Sequence, residues 1–195
     1  KKNVICEIAS NDGILLEQFK NKNNYIYGIE PTKSTAEVAK KKGLKIFNEF
    51  FNYKLAKKLS KKGLSCDLII ANNVIAHIPD VNDFLLGMSV LLKKNGVITI
   101  EFQYLVNLIE KLQFDTLYHE HFSYLSLHTV SRIFNQAGLR ILDVEKLTTH
   151  GGSLRIYGCH ANDPRKTTKA VKEIKRMYKS GEIDKLKKDQ KNMVH

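Results

Sequence analysis

The chain is expected to fold as an α/β domain: a doubly wound, mostly parallel sheet that ends in an antiparallel hairpin. Three observations lead there. Apolar runs such as Leu68-Ile69-Ile70 are continuous rather than alternating, as in strands buried on both faces. Helical stretches alternate with such runs, the pattern of a parallel sheet covered on both sides. The last two strand candidates are joined by so short a link that they can pair only antiparallel.

Taken in order, Asn3 to Ala9 reads as the first strand, followed by the turn Ser10-Asn11-Asp12-Gly13. A helix then begins at Ile14-Leu15-Leu16, with the Asn/Asp pair supplying capping chemistry. Tyr25 to Ile29 is a second strand ending at Glu30-Pro31. Thr32 or Ser34 can cap the next helix, which runs through Lys40-Lys41-Lys42 and stops at Gly43, with cations in its last turn. Leu44 to Phe47 is a third strand, and Phe50 to Leu59 is amphipathic. Cys66 to Ala71 is the fourth strand. Asp80 can cap the helix that carries Phe84, Leu85, Met88 and Leu91, and Asn95-Gly96 turns the chain into the strand Val97 to Phe102. A helix from Leu127 to Ala137 ends at Gly138, and the strands Leu139 to Leu147 and Ser153 to Cys159 form the hairpin. Residues 1–160 thus read as one domain. Residues 161–195 read as a charged linker helix leading towards an absent C-terminal domain.

The totals, 195 residues with 43% hydrophobic and 27% charged, suit a globular chain with a substantial core. No apolar stretch is long enough to span a bilayer and the N-terminus shows no signal-peptide pattern, so no membrane partner is expected. The chain opens on Lys1-Lys2 without a Met and runs at once into a strand, which suggests a piece of a longer protein. Cys6, Cys66 and Cys159 are widely spaced in apolar surroundings and read as buried thiols in a reducing, cytoplasmic compartment. The net charge of +12 raises nucleic acid as a partner. Against it, the lysines are scattered over helices without interleaved aromatic residues, so a solvated lysine-rich surface is the preferred reading.

Two segments carry chemistry. In doubly wound sheets a ligand binds beyond the carboxyl ends of the strands, near the switch in strand order. Glu7-Ile8-Ala9-Ser10-Asn11-Asp12-Gly13 is the first such end, with small residues that admit a ligand close to the backbone. Glu30 follows about twenty residues later, where a carboxylate can accept both ribose hydroxyls. The alternative is that Glu30 and Asp12 merely cap helices. A dinucleotide would need a glycine-rich loop on which its pyrophosphate could lie, and Asp12 would repel that group. S-adenosylmethionine has no phosphate and bears a sulfonium, so it is the expected cofactor. The second segment is Tyr118-His119-Glu120-His121, which gathers two imidazoles, a carboxylate and a phenol among aromatic residues, as a proton-moving site does.

Several motifs occur in a telling order: Glu7 to Gly13, Gly28-Ile29-Glu30-Pro31, Ala71-Asn72-Asn73-Val74 with Ala76-His77-Ile78-Pro79-Asp80, Tyr118-His119-Glu120-His121, and His150-Gly151-Gly152-Ser153-Leu154-Arg155. Together they resemble the sugar-nucleotide C-methyltransferases that act on 4-keto-deoxyhexoses, over nearly the whole chain up to Cys159. The resemblance implies a class I, Rossmann-like methyltransferase fold. It assigns adenosylmethionine to Glu7, Ser10, Asn11, Gly13, Glu30, Pro31, Asn72 and Asn73. It assigns substrate and proton chemistry to His77, Tyr118, Glu120 and His121, on a nucleotide-sugar substrate. It also implies an N-terminal zinc domain and a C-terminal domain flanking this core.

Chemistry agrees with that division, because a hydrogen beside a ketone leaves only if a base reaches it and the enolate oxygen is stabilised. His121 is the candidate base, Glu120 orients the sugar or the imidazole, and Tyr118 or His77 faces the oxyanion. Plainer readings stand beside these. His77 could belong to a turn, His119 is expected to be structural, and His150-Gly151-Gly152 could be only a hairpin turn. A metal site of His119, Glu120 and His121 lacks the spacing that puts two ligands on one helix face, so no metal is expected. Competing functions are a methyltransferase for RNA or another small molecule, a non-catalytic cofactor-binding fragment, and a dehydrogenase.

Overall fold

The computed structural model describes residues 2–20 and 23–179. In chain order the elements are β1 (Asn3–Ile8), α1 (Ile14–Glu17), β2 (Asn24–Ile29), α2 (Lys33–Lys41), β3 (Ile46–Phe47), α3 (Tyr53–Lys61) and β4 (Cys66–Asn72). Then follow α4 (Val81–Leu91), β5 (Leu92–Gln103), α5 (Leu105–Glu110), α6 (Leu127–Gln136), β6 (Leu139–Leu147), β7 (Ser153–His160) and α7 (Lys169–Lys179). The strands form one sheet in the order β3-β2-β1-β4-β5-β7-β6. Pairing is parallel from β3 to β5 and antiparallel where β7 meets β5 and β6. The expected doubly wound sheet with its terminal hairpin is therefore present. Chain order reverses between β1 and β4, which places the switch point at Ile8 and Asn72.

The core forms where helices cover the continuous apolar strands. Ile69 and Ile98 in the sheet, Phe84, Leu85 and Met88 on α4 and Phe134 on α6 are all buried in one cluster. Asp80 caps α4 as expected, its carboxylate accepting from the Asp83 amide at 2.9 Å. Ser126 caps α6 and Asn52 caps α3 in the same way. Cys6, Cys66 and Cys159 are free and buried. Among the described residues no helix is long and apolar enough to cross a membrane.

Other local expectations change in part. Gly13 occupies the N-cap position of α1 with φ 77°, while the Asp12 carboxylate accepts from the Ile14 amide at 3.4 Å, as expected of a capping side chain, and also pairs with Lys42 at 3.0 Å. Thr32 takes the N-cap position of α2 without a side-chain cap bond. The third strand starts at Ile46 rather than Leu44, because the Leu44 amide closes the end of α2 on the Ala39 carbonyl at 3.2 Å. Asn95-Gly96 lies inside β5, which bulges so that Cys66 faces Leu92 while Leu68 faces Val97. Helix α5 has no counterpart in the sequence reading.

The helix expected as a linker begins on the sheet domain. Val171 and Ile174 are buried in the main cluster. The approach to α7 is tied down as well, since the Arg140 guanidinium donates to Thr167 Oγ1 at 2.9 Å and to the Asp163 carbonyl at 3.0 Å. Arg165 pairs with the buried Asp163 at 2.7 Å and holds its carboxyl at about 2, below the usual range. The remainder of the expected linker, residues 180–195, lies outside the described residues. Removing the two outer carbons of Val171 in Val171→Ala is expected to lower stability by about 1.5 kcal/mol, at ~0.8 kcal/mol per buried methylene. Urea unfolding measures this, and an unchanged midpoint would show that α7 is not docked in solution.

Candidate active site

The ends of β1 and β2 form a crevice whose backbone is unusual. Ala9 and Asn11 adopt left-handed φ values of 56° and 49°, and Asn73, after β4, adopts 53°. Non-glycine residues seldom sit there, and when they do they concentrate at functional sites. One buried carboxylate secures the turn. Glu30 Oε2 accepts from the Asn11 amide at 2.9 Å, and Oε1 accepts from the Thr32 amide at 2.8 Å. Asn48 donates from its amide to the Glu30 carbonyl at 2.7 Å and to the Pro31 carbonyl at 2.9 Å. Gly28 leaves room that a Cβ would take from Ser10 Oγ, so the serine hydroxyl stays against β2.

Three buried oxygens at these strand ends have no partner: Glu7 Oε2, Ser10 Oγ and Asn72 Oδ1. Burial raises the Glu7 carboxyl to about 7, the Asp12 and Glu30 charges add to this, and a backbone hydrogen bond at Leu16 opposes it. Unsatisfied buried acceptors are uncommon and call for a ligand that donates. A cationic, hydroxyl-bearing and phosphate-free molecule meets that demand, so these residues fit S-adenosylmethionine.

Beside the crevice lies a cavity of about 430 Å³, lined by Asn73, Ala76, His77, Phe102, Gln103, Gln113, Asp115, Thr116, Tyr118, His121 and Gly151. The segment 111–126 folds over it. The Phe122 amide donates to the Ala76 carbonyl at 2.8 Å and the Leu105 amide to the Leu125 carbonyl at 3.1 Å. Within that segment the hydrogen bonds fix the histidine tautomers. His121 Nδ1 lies 3.1 Å from the Thr116 carbonyl, which can only accept, so Nδ1 carries the proton. In the neutral ring Nε2 is then the lone-pair nitrogen, and the Tyr118 hydroxyl donates to it at 3.0 Å. His77 is set in the same way, with Nδ1 3.1 Å from the Glu120 carbonyl. The His77 and His121 rings are 4.8 Å apart, and Tyr118 and Tyr124 flank His121 at 4.2 and 5.7 Å.

His77, Tyr118, His121 and Asn73 therefore share the cavity, and Glu7, Ser10, Asn11, Glu30 and Asn72 gather at the crevice. Pro31 stands next to Glu30, and Gly13 starts α1. The Glu120 side chain is exposed and does not line the cavity; its carbonyl takes part instead. His119 is exposed. Gly151 and Gly152 are more than a hairpin turn. Both have positive φ, and a Cβ on either would collide with Gln113 or Asn107. Among the described residues no group of three His, Cys, Asp or Glu side chains is placed to hold a metal ion.

Several residues here escaped the sequence reading. Gln103 had a usable signal, since it ends a strand on the ligand-bearing edge of the sheet. Gln113 and Tyr124 come from the folded-back segment, and Thr116 also contributes its carbonyl to His121. The hairpin turn is held by Glu101, which accepts from Thr149 Oγ1 at 3.1 Å and pairs with Arg155 at 2.9 Å.

Comparison with known proteins places this geometry. The family model described as methyltransferase domain matches residues 1–144. The chain is 33% identical over 171 residues to C-methyltransferase NovU of Streptomyces niveus, covering 88% of this chain and 41% of that protein. It is 32% identical over 105 residues to the ubiquinone biosynthesis O-methyltransferase of Pelagibacter ubique (strain HTCC1062), covering 51% of this chain and 42% of that one. The chain thus spans 41% and 42% of the length of these relatives. Among solved structures, the magnesium protoporphyrin IX methyltransferase ChlM from Synechocystis PCC 6803 with bound SAH superposes with a TM-score of 0.63 at 12% identity, over 82% of this chain and 74% of that one. The PH0226 protein from Pyrococcus horikoshii OT3 gives 0.65 at 14% identity, over 82% of each chain. At these identities the superpositions speak for the fold. With its family match, its switch-point crevice and its unpartnered acceptors, the chain belongs to the methyltransferase-domain family, whose cofactor is S-adenosyl-L-methionine.

Proposed function

We propose that this chain is the catalytic core of a C-methyltransferase that methylates C3 of a nucleotide-linked 4-keto-deoxysugar. The observation that carries the reading is the tautomer of His121, whose protonated nitrogen is pinned to a carbonyl while its lone pair belongs to a cavity-lining phenol–imidazole pair. The similarity to a C-methyltransferase over most of the chain supports carbon as the acceptor. The resemblance to keto-sugar enzymes supplies the substrate class.

On this reading the hydrogen at C3 leaves as a proton to His121 Nε2, and the C–H electron pair moves onto the ketone oxygen as an enolate. The Tyr118 hydroxyl, bonded to that lone pair, can pass the proton to it. The Thr116 carbonyl stabilises the imidazolium that forms, because it already accepts from Nδ1. Glu7, Ser10, Asn11, Glu30 and the Asn72-Asn73 turn would hold S-adenosylmethionine, which would supply the electrophilic methyl group to the nucleophilic C3. Positioning the two substrates supplies much of the acceleration. Glu120 acts through its carbonyl on His77 rather than through its carboxylate. A cytoplasmic setting and flanking domains that help hold the nucleotide belong to the same proposal, with the domain boundary moved beyond the docked start of α7.

Calorimetric titration of S-adenosylhomocysteine and NADH into the purified chain tests the cofactor; binding of NADH alone would overturn the reading. His121→Ala is expected to keep S-adenosylhomocysteine affinity within about 2-fold. It should slow methyl transfer to a nucleoside-diphosphate 4-keto-deoxyhexose by about 100-fold or more. Undiminished transfer would remove His121 as the base.

Glu7 gives the site a pH signature. Its folded value of about 7 lies above the ordinary 4.5, so the folded protein keeps a proton that the unfolded chain has lost. The contribution is complete below the unfolded value and is lost as pH rises through about 7. Wild type should therefore lose more stability than Glu7→Gln between pH 5 and pH 8 in urea unfolding, and parallel curves would refute the shift.

A further inference from the structure

Enolate formation needs a hydrogen-bond donor at the substrate oxygen as much as it needs a base. The aromatic residues of the cavity do not supply one while the base is neutral. The only proton on the Tyr118 hydroxyl is directed at His121 Nε2. His77 has its Nδ1 proton on the Glu120 carbonyl, so the Nε2 of its neutral ring can only accept. The Tyr124 hydroxyl donates to the Thr116 carbonyl at 3.3 Å. Yet among the described residues one cavity-lining side chain has a buried donor group with nothing to bond. Gln103 Nε2 is buried without a partner.

The setting of Gln103 is rigid. It is the last residue of β5 and pairs in register with Ser153 of β7. Its neighbours Phe102 and Tyr104 are buried, and the Tyr104 amide donates to the Gly152 carbonyl at 3.1 Å. Alternation along β5 puts Gln103 on the same face as Glu101, which is itself fixed by Arg155 and Thr149. A donor mounted on a paired strand needs little reorganisation when charge develops, and a buried amide donor left unbonded is unfavourable until a ligand accepts from it.

We propose that Gln103 is a catalytic residue of this site, its Nε2 donating a hydrogen bond to the substrate's carbonyl oxygen and to the enolate that this oxygen becomes. The assignment rests on the proposed C-methylation of a ketone, and it names which group bears the negative charge. No bond to Gln103 forms or breaks. The substrate proton goes to His121, the electron pair goes to the oxygen, and the amide stabilises the charge there.

The test uses Gln103→Glu, which keeps the shape and replaces the donor by an acceptor, and Gln103→Met, which removes it. Both are compared with wild type for S-adenosylhomocysteine affinity, for kcat and KM of methyl transfer, and for deuterium uptake at C3 of a nucleoside-diphosphate 4-keto-deoxyhexose in D2O. Both variants are expected to bind S-adenosylhomocysteine as wild type does and to keep KM within a few fold. Their kcat and deuterium exchange should fall by about 100-fold or more, the usual effect of deleting one oxyanion donor. Wild-type exchange rates in both variants would overturn the assignment of Gln103 alone. Loss of S-adenosylhomocysteine affinity in both would make Gln103 structural and overturn it too. A wild-type protein that binds the nucleotide sugar yet shows neither exchange nor transfer would remove the ketone reading itself, and this inference with it.

Discussion

Parallel strands end with backbone groups that no neighbouring strand satisfies, and β1 and β2 meet that constraint with one buried carboxylate. Glu30 takes the Asn11 amide on one oxygen and the Thr32 amide on the other. It thereby fixes the turn after β1 and the start of α2 together. A helix of four residues, α1, offers little of its own to brace that turn. Left-handed backbone at Ala9 and Asn11 costs roughly 1–3 kcal/mol per residue, so the conformation persists only where surrounding bonds impose it. Ser10 lies inside the turn so fixed, with its hydroxyl close against Gly28.

The cavity is organised by backbone carbonyls rather than by carboxylates. Thr116 and Glu120 each present a carbonyl to an imidazole Nδ1, which decides where the protons sit before any substrate arrives. A carboxylate in either place would also orient the ring, but it would favour the imidazolium and spoil a neutral base. The segment bearing these carbonyls is irregular, and its shape depends on bonds to Ala76 and on the contact of Leu105 with Leu125. Loop-borne chemistry is thus mounted on a fixed sheet edge, the usual division between loops and scaffold.

The sequence was most informative where local physics decides the outcome. Continuous apolar strands, the Asp80 cap and the glycine after α6 were all readable, because each needs only its neighbours. The gathering of His77 with Tyr118 and His121 could be anticipated only through a resemblance, since the folded-back segment brings together residues more than forty positions apart. What failed depends on tertiary context. The Leu44 amide is captured by α2, so the third strand shortens. The bulge between Leu92 and Val97 hides Asn95-Gly96 inside a strand. Glu120 was expected to orient the sugar or the imidazole through its carboxylate; its side chain is exposed, and it is the carbonyl that meets the His77 ring. Main-chain contributions of that kind leave no trace in residue type.

The distribution of charge bears on what the cavity can recognise. The chain carries a net charge of +12, but among the described residues no lysine or arginine lines the cavity. Lys40, Lys42 and Lys58 pair with Glu37, Asp12 and Glu49 away from it. A phosphate inside the cavity would therefore face neutral amides, imidazole lone pairs and the Asp115 side chain, and the last two would repel it. A neutral carbonyl-bearing ring meets the opposite situation, with a buried amide donor at Gln103 and an unpartnered acceptor at Gln113 Oε1. On the proposed reading the sugar occupies the cavity while the phosphates stay outside it. The Lys111 ammonium, 3.0 Å from the Gly151 carbonyl, stands beside one wall. On that reading the excess of positive charge suits the attraction of an anionic substrate to the surface, while selection among substrates depends on hydrogen bonds within the cavity.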